Sequence, residues 1–270
     1  MATPDPPRRL TVEEMYADDP EGDELEALLD TSLDPRGPDL LFELAGDLGV
    51  DAGATVLDVG CRDGRQLLEL HRRYGCRGVG IEPVPANLSR APDDVADAGL
   101  HLVRGVAQAL PFTDHAFDLI WVRDVLIHVA PLRDALAECR RVVRRGAAVL
   151  VFQMFATPLL EPGEAARLWP SLAAIERNTD RAHFEAAIRD AGLAVERRDE
   201  LHGEWREHLE EHDQGRTSRQ LLRASRLQRE PARFRGAMGD DSYAVELADC
   251  LWGVYQMIGK LSPAIYVLRA

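Results

Sequence analysis

The chain has 270 residues, 46% of them hydrophobic and 29% charged, and a formal net charge of −14. That composition supports a full core and excludes wholesale disorder, while the acidic balance argues against a nucleic-acid backbone as partner, which needs a basic surface. The four cysteines (Cys61, Cys76, Cys139, Cys250) show no paired spacing, and no apolar stretch reaches the ~18 residues of a membrane span. With no apolar signal core at the start, the expectation is a cytoplasmic protein with no metal, no disulfide frame and no membrane partner, its oligomeric state open.

Residues 1–34 carry eleven carboxylates against Arg8 and Arg9, with Leu10, Met15, Tyr16, Leu25, Leu28 and Leu29 in a sparse helical pattern. Asp34-Pro35-Arg36-Gly37-Pro38 reads as a turn. Beyond it, Leu40, Leu41, Leu44, Ala45 and Leu48 share one helical face. Thr55–Val59 predicts the first strand, and a helix follows from Gly64 to Gly75. Gly78–Ile81 is the second strand, closed by Glu82-Pro83. Residues 85–98 form a weak helix disturbed by Pro92, and Leu100–Val103 is the third strand.

Phe117–Val122 is a continuous apolar run, as expected of a parallel strand buried on both faces. Pro131–Val143 predicts a helix that ends in Arg144-Arg145-Gly146, with Ala147–Phe152 as the fifth strand. Further helices are expected over 164–176 and 180–191, a sixth strand over Leu193–Arg197, and a last strand over Ala264–Leu268. Helices near 204–212, 217–229 and 241–258 fill a gap too long for an ordinary loop and suggest a cap over a ligand crevice. Strands alternating with helices in this rhythm predict an α/β doubly wound sheet. The expected organisation is an N-terminal helical lid over 1–50, a ligand-binding core over 51–200, a helical cap over 201–262, and the last core strand over 263–270.

The stretch Val56-Leu57-Asp58-Val59-Gly60-Cys61-Arg62-Asp63-Gly64-Arg65 sets a glycine turn and a helix N-terminus at the end of a strand, where open α/β sheets bind nucleotide-like ligands. Gly60 and Gly64 do not make the G-x-G-x-x-G of a dinucleotide fold, which counts against a nicotinamide-dependent dehydrogenase. Glu82 ends the next strand, where a carboxylate can accept from both hydroxyls of a ribose.

Together with Gly80-Ile81-Glu82-Pro83, the segment 105–112, Phe117-Asp118-Leu119-Ile120 and the segment 140–146, this stretch resembles the ordered motifs of class I S-adenosylmethionine-dependent methyltransferases. The resemblance implies a Rossmann-like, seven-stranded sheet whose last strand is antiparallel, S-adenosylmethionine as cofactor, and a small-molecule substrate. It also implies that Asp58, Gly60, Cys61, Arg62, Gly64 and Arg123 shape the cofactor pocket. Glu82 would take the ribose, Pro83 would flank the adenine, and Ala107-Gln108 would meet the adenine edge. Arg62 stands where the family has a glycine, so the turn is expected to form without a positive φ there. Val106 replaces a frequent acidic residue at the adenine amino group.

Ile120 to Val129 includes Arg123-Asp124 and His128, and is similar to the R-D-x-x-x-H segment of phosphoethanolamine-type N-methyltransferases. In that family a lid tyrosine pairs with the histidine. The resemblance implies His128 as general base with Tyr16 on the lid. Phe155, Trp205, Trp252 and Tyr255 would line a pocket for an apolar or aromatic acceptor methylated at nitrogen or oxygen. Methylation at carbon, or a non-methylating cyclase or decarboxylase on the same fold, are the alternatives. Two further features read as exposed helix faces: His208-Leu209-Glu210-Glu211-His212, which fits H-x-x-E-H, and the row Arg219, Arg223, Arg226.

Overall fold

The computed structural model describes residues 8–17, 22–212 and 215–270, without the side chains of residues 15–17 and 22–24. The chain forms two compact units, Met1–Pro35 and Arg36–Ala270. Among its described residues the first holds two short helices, α1 (Val12–Ala17) and α2 (Gly22–Leu29). Thr11 and Glu14 cap α1 reciprocally: Glu14 N–H donates to Thr11 Oγ1 (3.2 Å) and Thr11 N–H donates to Glu14 Oε2 (2.8 Å).

The second unit opens with α3 (Asp39–Asp47), then β1 (Thr55–Val59), α4 (Arg65–Tyr74), β2 (Arg77–Glu82), α5 (Pro85–Leu88), α6 (Asp93–Asp97), β3 (His101–Arg104) and β4 (Phe117–Arg123). A 3-10 turn (Leu126–His128), α7 (Leu132–Val142), β5 (Val143–Ala156), α8 (Pro162–Ser171), a second 3-10 turn (Glu176–Thr179), α9 (Arg181–Asp190) and β6 (Ala194–Glu200) follow. The cap comprises α10 (Glu204–His212), α11 (Arg216–Arg229), α12 (Pro231–Met238) and α13 (Asp240–Met257), before β7 (Leu261–Arg269).

The seven strands run in the order β3-β2-β1-β4-β5-β7-β6. β1 to β5 are parallel, and β7 enters antiparallel between β5 and β6. The order reverses beside β1, so the ends of β1 and β4 part and leave a crevice at the position where open α/β sheets bind ligands. Alternation along each buried strand separates two cores. Val56 on β1 joins the cluster with α3, α4, α8, α10 and α13, and Leu57 joins the cluster with α7 and α9.

Several boundaries differ from the sequence expectation. The helix over 39–47 was expected in a lid reaching residue 50. It belongs instead to the compact unit that contains the sheet, because Leu41, Phe42, Leu44 and Ala45 are buried in the sheet's own core. α7 stops at Val142, within a residue of its expected end, but β5 begins at once at Val143 rather than at Ala147. His115 N–H and Ala116 N–H capture the carbonyls of Arg141 and Val142, and Val143 pairs with Phe117 at the head of β4, which draws the chain into β5 early. Pro92 divides the weak helix into α5 and α6. α12, begun by Pro231, was not anticipated.

The seating of α4 on the sheet is tight. A Cβ added to Gly78 on β2 would lie 2.5 Å from Leu67 Cδ1 of α4, and Leu67 is fully buried. Gly78→Ala is therefore expected to destabilise the protein by about 1–3 kcal/mol through overpacking. Leu67→Ala should cost about 2–5 kcal/mol through the cavity it leaves. Urea titrations should show the double variant clearly more stable than the sum of the two losses predicts, because each change relieves the other.

Candidate active site at the strand ends

After β1 the backbone turns sharply. Gly60 has φ +75° and lies directly against Val125, so that a Cβ there would overlap the valine side chain. The N–H groups of Gly60 and Cys61 both donate to the Ile81 carbonyl, at 2.8 and 3.1 Å, which ties the turn to the end of β2. Gly64, φ +80°, forms the N-terminal cap of α4. Arg62 was expected to turn without a positive φ, and it does not: it adopts φ +56°. The Glu82 carboxylate explains this, since its Oε2 accepts from the Arg62 N–H at 3.1 Å and holds the peptide in the left-handed region.

Glu82 is buried and accepts two further bonds on Oε1, from Val84 N–H (3.1 Å) and Asn87 Nδ2 (2.9 Å). A carboxylate offers about four lone-pair directions, so Glu82 is fixed in place and keeps capacity for a ligand hydroxyl. Asp58 lies deeper, 2% exposed, and its Oδ2 has no hydrogen-bond partner among the described residues. Burial pushes its carboxyl up to about 7; Arg123 opposes the rise and Glu82 adds to it.

β4 supplies the opposite wall. Arg123 donates through Nη1 to Gln66 Oε1 and stacks over the Trp205 indole, its Cζ 5.5 Å from the ring centroid. Desolvation lowers its pKa, and a guanidinium remains cationic all the same. Asp124 follows with φ +59°; its Oδ1 is buried without a partner among the described residues, and burial raises its pKa. His128 is exposed at the end of the first 3-10 turn, with Nδ1 3.0 Å from the Ala173 carbonyl. A carbonyl can only accept, so Nδ1 carries the proton and the neutral ring keeps its lone pair on Nε2.

These residues line one cavity of about 1020 Å³. Asp58, Gly60, Cys61, Arg62, Glu82, Pro83, Ala107, Gln108, Arg123 and His128 all border it, as do Asp124, Leu172, Asp249 and Trp252. Gln108 donates through Nε2 to the Ala130 carbonyl at 2.8 Å, and Val106 is half-exposed at the rim. Gly64 stands behind the lining, at the start of α4.

The aromatic residues expected around the acceptor largely do not come together. Trp252 borders the cavity. Phe155 does not: strand alternation turns it away from Phe152 and into the opposite core, where it packs edge-on against Phe184 and Tyr266. Trp205 is stacked flat on Phe152 at 4.3 Å, forming the backing of Arg123 rather than the cavity surface. Tyr255 packs beside Lys260, 5.4 Å from ring centroid to Nζ, away from the cavity.

Tyr16 sits on α1 of the first unit, and its side chain lies outside the described residues. His208 and His212 stack on each other at 4.4 Å, and among the described residues no group of three or more His, Cys, Asp or Glu side chains could hold a metal ion. Gln66, Asn87 and Asp249 were missed by sequence reasoning. Asp124 was in plain view within the R-D-x-x-x-H segment.

Residues 57–151 match the family model described as a methyltransferase domain. Among curated proteins, the chain is 27% identical over 163 residues to 27-O-demethylrifamycin SV methyltransferase of Amycolatopsis mediterranei, covering 58% of this chain and 60% of that one. It spans less than half the length of the first curated relatives it matches. Among solved structures, the (4+2) cyclase SpnF superposes with a TM-score of 0.65 at 22% identity, over 86% of this chain and 80% of the other. Phosphoethanolamine N-methyltransferase 2 of Haemonchus contortus superposes at 0.63 and 14% identity, over 87% and 52%. At these identities the structural likeness establishes the fold, a Rossmann-like seven-stranded sheet with the last strand antiparallel.

The buried Asp58 has a thermodynamic consequence. The folded state holds its proton up to about pH 7, whereas the unfolded chain releases it near 4. Between those values the native state binds more protons, so this carboxyl makes the ligand-free protein less stable as pH rises from about 4 to 7, by on the order of 4 kcal/mol over the window. Asp58→Asn should remove that contribution. Urea midpoints measured from pH 4.5 to 8 should show the variant gaining on the parent as pH rises; a constant difference would count against the buried, unpaired carboxyl.

Proposed function

We propose that this chain, whose residues 57–151 match a methyltransferase domain, is a class I methyltransferase that uses S-adenosylmethionine to methylate nitrogen or oxygen of a small, apolar or aromatic molecule. The observation that carries this reading is the convergence, on one cavity, of a side-chain-free turn at Gly60, the anchored carboxylate of Glu82 and Asp58, whose Oδ2 has no partner among the described residues. Its volume stands at the upper end of the ~300–1,000 Å³ usual for ligand pockets, which suits a cofactor and an acceptor together.

The residues present fit the group. Glu82 would accept from the ribose hydroxyls. Pro83, Ala107 and Gln108 would border the adenine. Gly60 gives backbone access to the amino-acid end, where Asp58 and Arg123 offer charges of both signs. When bound, the cofactor supplies a methyl group activated by positive sulfur, and displacement there is in line, so the protein's task is chiefly alignment.

His128 borders the same cavity as Asp124, Leu172 and Trp252, and on this reading these residues form its acceptor end. With Nδ1–H given to Ala173, Nε2 is the nitrogen able to take the proton an ammonium or hydroxyl acceptor must lose. Tyr16 is the proposed lid partner on the sequence resemblance alone. The relative named as a 27-O-demethylrifamycin SV methyltransferase supports a small-molecule acceptor, and Leu172 and Trp252 offer it apolar surface.

Incubation with methyl-labelled cofactor and a panel of amine and hydroxyl acceptors tests the reading: label should appear in an acceptor. Label that never leaves the cofactor, despite binding seen by calorimetry, would favour a non-methylating reaction on this fold. His128→Ala is expected to lower kcat about 10²–10⁴-fold while shifting cofactor Kd by less than about twofold. Unchanged turnover would leave alignment as the whole of the catalysis.

A further inference from the structure

The segment between α8 and α9 carries no recognisable motif, yet it grips the turn that bears His128 from several sides. Asn178, in the second 3-10 turn, is 1% exposed. Its Nδ2 donates to two carbonyls, Leu126 at 2.8 Å and Val129 at 2.7 Å. Those two residues bracket His128 in the chain. Ile175 N–H donates to the carbonyl between them, Ile127, at 2.8 Å. Ala173 supplies the carbonyl that receives His128 Nδ1. Asn178 is itself anchored to the sheet, because its backbone carbonyl accepts from Nε2 of the fully buried Gln153 on β5 at 2.9 Å.

The chemistry of this bracket is selective. Two carbonyl oxygens facing one short side chain require a group with two N–H donors on a single atom, and a primary carboxamide is that group. Aspartate offers no donor when ionised, serine offers one, and glutamine would place the donors a methylene too far. The carboxamide's orientation follows from its partners, since reversing it would set oxygen against two oxygens. In that orientation Asn178 Oδ1 is buried with no partner among the described residues. A residue kept only for packing would not retain an unsatisfied polar atom that an apolar side chain of the same shape would avoid.

We propose that Asn178 is the positioning residue for His128: by clamping the carbonyls of Leu126 and Val129 it fixes the 3-10 turn, keeps the Nδ1 proton on the Ala173 carbonyl, and so leaves Nε2 as the basic nitrogen. The catalytic half of this statement rests on the reading of His128 as base; the structural half does not.

Nitrogen-15 NMR of the imidazole rings tests it directly, with the His128 signals identified by their loss in His128→Gln. In the parent protein His128 should be the Nδ1–H tautomer. In Asn178→Leu, close in shape but without donors, the Nε2–H form should become substantially populated. Asn178→Ser, which keeps one donor and perturbs packing less, should give an intermediate ratio and serves if the leucine variant fails to fold.

Turnover in Asn178→Leu should fall about 10–100-fold with the Kd for S-adenosylhomocysteine within twofold. In a His128→Ala background the same substitution should cost no further activity, because a residue acting through His128 has nothing left to position. A parent ring in the Nε2–H form, a tautomer ratio indifferent to residue 178, or losses that multiply across the two sites would each overturn the proposal. If the tautomer responds as stated while His128→Ala remains active, the bracket stands and the reading of His128 as base is what fails.

Discussion

The site depends on how closely the chain approaches itself just after β1. Gly60 lies where any side chain would meet Val125, and the next two peptides are drawn onto β2, through the Ile81 carbonyl and the Glu82 carboxylate. Three strand ends are thereby locked into one relation. Arg62 shows how strongly: a non-glycine residue in the left-handed region is strained by roughly 1–2 kcal/mol, and the charge-assisted bond to Glu82 offsets it. Glu82 thus serves the fold and the cavity with the same carboxylate. The first service fixes the geometry of the second.

Behind that turn the interior holds charges that do not satisfy one another. Asp58, Arg123 and Asp124 all border the cavity, and among the described residues none makes an ion pair within 4 Å. Desolvation therefore governs their behaviour, raising both carboxyls and lowering the guanidinium. Such an arrangement costs stability in the empty protein, since buried charge is expensive unless it is paired. A ligand carrying both signs of charge would recover part of that cost on binding. Stability has been given up at the place where binding is wanted, as is usual of functional sites.

Much of this was legible in the sequence, for reasons that are local. A buried parallel strand is a short apolar run, and a turn followed by a helix N-terminus leaves its glycines in sequence, so the sheet, the cavity and Glu82 could be placed from the residues. Arg62 misled because the absence of glycine was taken to forbid a positive φ, whereas a carboxylate from the next strand imposed it. Phe155 misled for a different reason. Being aromatic and near the cap in sequence says nothing about which way a strand residue faces, and one step of alternation separates it from Phe152, whose ring backs Trp205. Gln66 and Asn178 were invisible because a single carboxamide has no period and no motif; only its partners reveal it.

The contrast between the two ends of the cavity has a common physical origin. The proposed cofactor end is built largely from the backbone of neighbouring turns, and backbone geometry constrains sequence tightly. The proposed acceptor end is assembled from side chains far apart in the chain: His128 after β4, Leu172 after α8, and Asp249 with Trp252 on α13. α13 is anchored to its neighbours along its length. Gln256 takes Arg206 Nε at 3.0 Å, and Tyr243 donates to the Leu227 carbonyl of α11 at 3.2 Å. Asp249 and Trp252 are one helical turn apart and share a face with Gln256; Trp252 is buried edge-on against Trp169 of α8, so of the two cavity residues Asp249 is the one that can change without repacking the core. On the proposed reading, acceptor choice can therefore vary at Asp249, whereas at Gly60 any side chain would meet Val125.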